Sequence, residues 1–354
     1  MREIDKSRPV MVSGGSGYLA SWIVKMLLED GIDVHATVRD LSNHEKVETL
    51  EALAKASPGN LKLFQSDLMD RGGFDEPMQD CELVIHTASP FFITGINNPE
   101  EELIKPAREG VRNILESAKN TPTVKRIVHT SSAVASYGDN ADIRLTANGI
   151  FTEDDWNRTS SADHQPYPYS KVLAEKEAWA IAEKQDQWDL LTILPGWILG
   201  PSITRRTDST SIKIMMEYGD GTYKSGVPDM WMPVVDVRDV ATAHIKAGFT
   251  PNASGRHLVV SQEATLLDIA NILRKHFGDA YPFPKRVAPK FLFWLIAPIY
   301  GRTRKYVSRN VDIPIAFDNS SSKRNLDMSY RPIEQTIKEH FQQILDDGLL
   351  GKAY

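Results

Sequence analysis

Short apolar runs alternate with helical periodicities from residue 10 to about residue 200. Val10-Met11-Val12 stops at Ser13-Gly14-Gly15-Ser16-Gly17, and Leu19, Ile23, Met26 and Leu27 then recur at helical spacing up to Gly31. Ile32–Val38 reads as a second strand, and Val47, Leu50 and Leu53 mark a helix that Ser57-Pro58-Gly59-Asn60 ends. A third strand follows at Leu61–Phe64 and a fourth at Leu83–Ala88. A helix over about 101–119 leads to a fifth strand at Lys125–Ser132, apolar enough for a central position. Leu173–Lys184 continue a helix, and Leu190–Leu194 form a sixth strand that Pro195-Gly196 stops. Such alternation implies right-handed crossovers and a parallel sheet covered on both faces.

The rhythm breaks after Gly200. Residues 201–233 are rich in Gly, Pro, Ser and Thr, and the segment from Pro201 to Trp231 is expected to be a mobile lid over the substrate. Asp236-Val237-Arg238-Asp239 then opens a helix through Phe249, His257–Val260 reads as a strand, and the remainder is mostly helical. The expected fold is α/β: a Rossmann-type doubly wound parallel sheet with a smaller, mostly helical C-terminal substrate domain. The division predicted is 1–200 with 234–260 for the nucleotide-binding part, interleaved with 201–233 and 261–354 for the substrate part.

Composition narrows the function. With 354 residues, 41% hydrophobic and 25% charged, the chain can bury a large core. A net charge of −6 without a basic run argues against a nucleic-acid partner. Cys81 is the single cysteine, which excludes an intramolecular disulfide and a cysteine metal cluster. The first residues lack the apolar region of a signal peptide. Phe291–Ala297, the most apolar stretch, lies between Pro289 and Pro298, well short of the roughly 20 residues of a membrane span. The expectation is a cytoplasmic monomer or homodimer acting on a small molecule, with no metal, nucleic-acid or membrane partner.

Strand, glycine turn and helix form the geometry that receives a dinucleotide pyrophosphate at the positive end of the helix. Two registers fit, Gly15-x-Gly17-x-x-Ala20 and Gly14-x-x-Gly17-x-x-Ala20. Arg39, at the end of the second strand, suits the 2′-phosphate of NADP, with Lys46 as a second positive charge; Asp40 keeps NAD open. Asp67-Leu68 follow the third strand, where an adenine would lie. Thr87-Ala88-Ser89 follow the fourth, at the edge where ligands collect. His86 and His129 fall inside apolar strands and read as core.

Tyr167 and Lys171 share one face of a helix at i,i+4, so the lysine can favour the phenolate of a proton-transferring tyrosine. A serine at the end of the fifth strand can hold a carbonyl oxygen beside that phenol. Tyr169 lies on another face, two residues from Lys171.

These elements, together with Pro195-Gly196-Trp197-Ile198-Leu199-Gly200-Pro201 and Val235-Asp236-Val237-Arg238-Asp239-Val240-Ala241, resemble the extended short-chain dehydrogenase/reductases. The likeness is to their dihydroflavonol reductase-like branch, which includes microbial aldehyde and ketone reductases. It implies NADPH-dependent reduction of an aldehyde or ketone, with catalytic Ser132, preferred over Ser131, beside Tyr167 and Lys171. It also implies cofactor contacts from Gly14, Ser16, Gly17, Tyr18 and Leu19 in the glycine turn, and from Arg39 and Lys46. Further contacts are implied at Asp67, Leu68, Thr87, Ala88, Ser89 and Thr130. Tyr167, Lys171 and the Pro195, Gly196, Trp197, Ile198 segment would complete the nicotinamide side. Phe91, Trp197, Met230 and Trp231 are candidates for an apolar substrate wall. Ala20 in place of a third glycine, and the bulk of Trp197, depart from the family pattern. The alternatives are a nucleotide-sugar epimerase or dehydratase on the same fold, and a non-catalytic NADP-sensing protein. Ser131-Ser132 after Thr130 argues against the dehydratases, and the Tyr167–Lys171 pair against the sensor.

Overall fold

The computed structural model describes residues 2–89, 97–204 and 207–350. Seven parallel strands form the main sheet: β1 (Val10–Ser13), β2 (Val34–Val38), β3 (Leu61–Gln65), β4 (Leu83–His86), β5 (Arg126–Thr130), β6 (Asp189–Pro195) and β9 (Gly255–Val259). Their spatial order is β3-β2-β1-β4-β5-β6-β9. The direction of winding reverses between β1 and β4, where Val10 pairs with Leu83 and Ser13 with His86. A crevice opens at such a reversal, beyond the carboxyl ends of the strands.

Side chains of successive strand residues go to opposite faces, and the core divides accordingly. Val10 and Val12, Leu83 and Ile85, Val128, and Leu191 and Ile193 face one way. They pack under α1 (Tyr18–Glu29) and α6 (Val237–Phe249). Met11, Val84, Ile127 and Leu190 face the other way, against α3 (Lys105–Asn120) and α4 (Pro166–Ala182). Helix α1 follows from its sequence: Ile23, Val24, Leu27 and Leu28 make one fully buried stripe, and Gly31, at φ +75°, ends it in the left-handed region. Helix α2 (His44–Lys55) starts on Asn43, whose side chain accepts from the Lys46 amide.

The C-terminal region is helical, as expected, but is built on a three-stranded sheet that the sequence pattern does not reveal. This sheet comprises β7 (Trp197–Leu199), β8 (Trp231–Asp236) and β10 (Gln262–Thr265). Strand β7 has three residues and β8 contains Pro233, both poor strand signals. Within the expected lid segment, Pro201 to Trp231, lies α5 (Thr210–Gly219). It buries Ile212, Met215 and Tyr218 against α7 (Leu266–Phe277) and α11 (Ile333–Asp346). Three short helices complete the region, α8 (Lys290–Ile296), α9 (Arg304–Asn310) and α10 (Ser320–Asn325). No helix among the described residues is long and apolar enough to cross a membrane, and none of their acidic, histidine or cysteine groups cluster as a metal site.

Candidate active site

The glycine turn joins β1 to α1 at the crevice. Gly14 has φ +67°, and a Cβ there would lie 3.1 Å from that of Ala88. A Cβ on Gly15 would come within 2.8 Å of the Ala36 Cβ on β2. Gly14 thus supplies the tight turn and Gly15 the close approach to the sheet, so both sequence registers describe part of one turn. Gly17 caps α1 without a side-chain bond, and the first turn holds no acidic residue, leaving the positive helix end suited to phosphate. The Thr87–Ser89 loop runs alongside. Ser13 fixes it: its Oγ accepts from the amides of Thr87 (3.0 Å) and Ala88 (3.1 Å), and pairs with His86 Nδ1 at 2.8 Å.

Beyond β2 the two charges part ways. The Asp40 carboxylate accepts from both the amide (2.8 Å) and the hydroxyl (2.6 Å) of Ser42, bonds that hold its carboxyl below the usual range. Arg39 is exposed and makes no ion pair among the described residues. Lys46 pairs with Asp208 at 3.3 Å, across from the loop before α5. The backbone carbonyl of Leu68 accepts from Asn113 Nδ2 on α3 at 2.7 Å, and Asp67 caps the amide of Met69 at 2.9 Å.

The structure brings Ser132, Tyr167 and Lys171 together. Pro166 at the first helical position starts α4, which places Tyr167 and Lys171 on one face. The Tyr167 hydroxyl is hydrogen-bonded to Ser132, and the Lys171 ammonium lies 6.0 Å from the Tyr167 ring centre while donating to Ser89 Oγ at 3.1 Å. Burial raises the Tyr167 phenol above its ordinary range, against the opposing effect of the Ser132 bond. Burial also pushes Lys171 down to about 8, while the charge of Glu175 one helical turn on supports the ammonium. Ser131 is not interchangeable with Ser132, because its hydroxyl donates to Glu175 Oε2 at 2.6 Å. Tyr169 packs instead in an apolar cluster with Tyr137, Val172 and Leu194.

Glu175 is the residue that sequence reasoning missed. It is wholly buried and accepts from Thr192 (2.8 Å) and from Arg256 Nε (2.8 Å), besides Ser131. Arg256 in turn lies 3.8 Å over the Trp156 ring. Its place four residues after Lys171 was the only available signal.

Two of the residues expected to make contacts have hydrogen-bond partners of their own. The Thr130 hydroxyl bonds His244 Nε2 at 2.7 Å; because His244 Nδ1 sits 2.8 Å from the Val240 carbonyl and must donate to it, Nε2 accepts. Trp197 Nε1 donates to Ser211 Oγ at 3.2 Å, and its ring packs towards the C-terminal core. Ile198 packs against the core beneath α1 and α6. Pro195 ends β6, and Gly196 lies so close to β8 that a Cβ would meet the Pro233 carbonyl at 2.6 Å. Trp231, half-buried, packs with the cluster around Tyr137, and Met230 Sδ accepts from the Tyr306 hydroxyl at 3.2 Å. Phe91 lies outside the described residues.

A buried polar knot lies between this site and the C-terminal helices. Asp139 is bonded to His164 (2.8 Å), Asn310 (2.7 Å), Gln165 (3.3 Å) and Arg309. Gln165 stands at the left-handed N-cap of α4, at φ +61°, two residues before Tyr167.

The sequence profile of the NAD dependent epimerase/dehydratase family matches residues 10–261. The chain belongs to that family. Among relatives within it, cinnamoyl-CoA reductase CAD2 of Medicago truncatula is 34% identical over 339 residues, covering 95% of each chain. Dihydroflavonol 4-reductase of Gerbera hybrida is 34% identical over 280 residues, 79% of this chain and 75% of the relative. Yeast methylglyoxal/isovaleraldehyde reductase Gre2, solved with NADPH, is similar with a TM-score of 0.77 and 28% identity, over 96% of this chain and 98% of that one. Within the epimerase/dehydratase family the chain is therefore an extended short-chain dehydrogenase/reductase of the dihydroflavonol reductase-like branch, and an NAD(P)-dependent oxidoreductase.

Proposed function

We propose that this protein reduces an aldehyde or ketone to an alcohol with NADPH, using Ser132, Tyr167 and Lys171. Support comes from the hydrogen bond between Ser132 and Tyr167 with the Lys171 ammonium beside it, at the carboxyl edge of the sheet. The cradle fits a dinucleotide: a Cβ at Gly14 would crowd Ala88, and the adjacent end of α1 carries no acid. The α1 amino end and Arg39 would hold the phosphates, and Lys171 and the Thr87–Ser89 loop the nicotinamide side. NADPH, when bound, supplies the hydride.

The chain's own residues supply the rest. Ser132 donates a hydrogen bond to the carbonyl oxygen and orients it. Tyr167 enters the reaction as a neutral phenol, since burial disfavours its anion, and passes its proton to that oxygen. The phenolate left behind is stabilised by the ammonium of Lys171. Trp231 and Met230 border the carbonyl substituents.

NADPH should be strongly preferred over NADH, because Arg39 is available for a charge-assisted bond while Asp40 is held by Ser42. Arg39→Ala should raise the NADPH KM by about tenfold or more and leave the NADH KM nearly unchanged, as for loss of a bond to a charged group worth about 1.5–3 kcal/mol. Steady-state oxidation of both cofactors with a panel of aldehydes and ketones checks this. Equal kcat/KM for both in the wild type would refute the cofactor assignment, and no carbonyl turnover at all would refute the reaction.

Reduction should also slow as pH rises through about 8, where Lys171 loses its proton. Glu175→Gln removes the charge supporting the ammonium, so the alkaline limb of the pH–rate profile should move to lower pH. A limb unmoved in that variant would show that Glu175 acts through packing alone.

A further inference from the structure

Between Lys285 and Val311 the chain carries seven basic residues and no acidic one. The net charge of −6 is thus a balance of +7 in this stretch and −13 elsewhere. The same stretch contains α8 and the short 3-10 turn Ala297–Tyr300 that extends it. Phe293, Trp294 and Ala297 turn inward and pack on Val307 and Val311. Phe291, Leu292, Leu295, Ile296 and Ile299 recur on the opposite side and are exposed, Phe291 by 64%, Leu295 by 53% and Ile299 by 82%. Side chains this apolar rarely stand together in water without a partner.

The charges around this stripe indicate what that partner is. Arg286, Arg302, Arg304 and Lys305 have no acidic partner among the described residues. Arg304 lies 4.4 Å from the centre of the Trp294 ring and Arg302 lies 5.0 Å from that of Tyr306. Lys285 and Lys290 pair only at the margin, with Asp279 (2.7 Å) and Asp312 (3.9 Å). An apolar stripe edged by long cationic side chains and a tryptophan is the pattern of an element lying in the plane of a lipid interface. A second copy of the chain does not fit, since a two-fold contact would set this basic rim against itself.

We propose that the α8 face docks the protein on an anionic lipid bilayer, with Phe291, Leu295 and Ile299 entering the acyl boundary and Arg286, Arg302, Arg304 and Lys305 meeting the headgroups. The contact is peripheral. Each basic residue near such a surface strengthens binding about fivefold, and salt screens the effect.

Co-sedimentation of the full chain with vesicles of phosphatidylcholine, alone or mixed with phosphatidylserine, tests this. The wild type should pellet with the mixed vesicles, remain in solution with phosphatidylcholine alone, and be released as salt is raised. Phe291→Ser with Leu295→Ser should abolish pelleting, and Arg304→Glu with Lys305→Glu should weaken it by at least about tenfold. Both double variants should keep wild-type carbonyl reduction and melting temperature, since none of these residues belongs to the site. A wild type that never pellets would overturn the proposal without recourse to any variant. Pelleting untouched by either double variant would also overturn it, as would a dimer in velocity sedimentation that Phe291→Ser with Leu295→Ser dissolves.

Discussion

Tyr167→Phe is expected to lower turnover by about 10²-fold or more, the scale of general acid catalysis, while NADPH affinity stays close to wild type. The substitution removes one hydroxyl. It gives up the bond to Ser132, worth about 1 kcal/mol of stability. Tyr169→Phe is the control, because that ring packs with Tyr137 and Val172 rather than facing Lys171. Single-turnover measurements with saturating NADPH separate the chemical step from binding. If Tyr169→Phe abolished turnover and Tyr167→Phe did not, the proton donor would have been assigned to the wrong face of α4.

The second large effect is on stability in mild acid. Burial pushes His86 and His340 down to about 3, and His244 and His257 down to about 4. His129 is likewise held well below its ordinary value, chiefly by burial and then by His86, 5.1 Å away in a stacked pair. For each group the folded value lies below the unfolded one near 6.5. Below that pH the unfolded chain takes up protons that the folded chain refuses. Stability is therefore full above about pH 6.5 and is lost as pH falls toward 4. One such proton costs about 1.4 kcal/mol per pH unit, so five give at most roughly 7 kcal/mol per pH unit. Even two would remove about 3 kcal/mol for each pH unit below 6.5, against the 5–15 kcal/mol that a fold possesses. Thermal melts across this window should show a steep decline in Tm beginning near pH 6.5. A melting temperature level between about pH 7 and 5 would show that these histidines accept protons in the folded state.

The main sheet was legible because its central strands are buried on both faces and read as apolar runs, and because they are closed by glycine, proline or polar turns. The second sheet was not. Strand β7 is too short for a period, β8 is interrupted by Pro233, and β10, Gln262–Thr265, is half-exposed and polar. Helix α5 was hidden by the serines and threonines at its start, although Ile212 and Met215 carry the helical spacing. The pairing of Tyr167 with Lys171 is local and could be read from i,i+4 spacing alone. The bond of Ser132 to Tyr167, and the commitment of Ser131 to Glu175, join β5 to α4 and needed coordinates. Distance along the chain also concealed the Arg256–Glu175 pair, 81 residues apart, and the roles that occupy Thr130 and Lys46 with His244 and Asp208.

Asp139 has a consequence for how such a protein can be divided or recombined. Its carboxylate is inaccessible to water and draws its partners from two distant places: His164 and Gln165 at the threshold of α4, and Arg309 and Asn310 at the end of α9. Removing the α9 partners would strand a buried charge, a loss of about 3–5 kcal/mol by the measure of broken buried ion pairs. That charge is bonded to Gln165, two residues before Tyr167. Residues 10–261 are therefore not a portable cassette, although the family profile matches them by themselves. Exchanging the C-terminal region between relatives preserves the surroundings of Tyr167 only when the Arg309–Asn310 pair travels with Asp139.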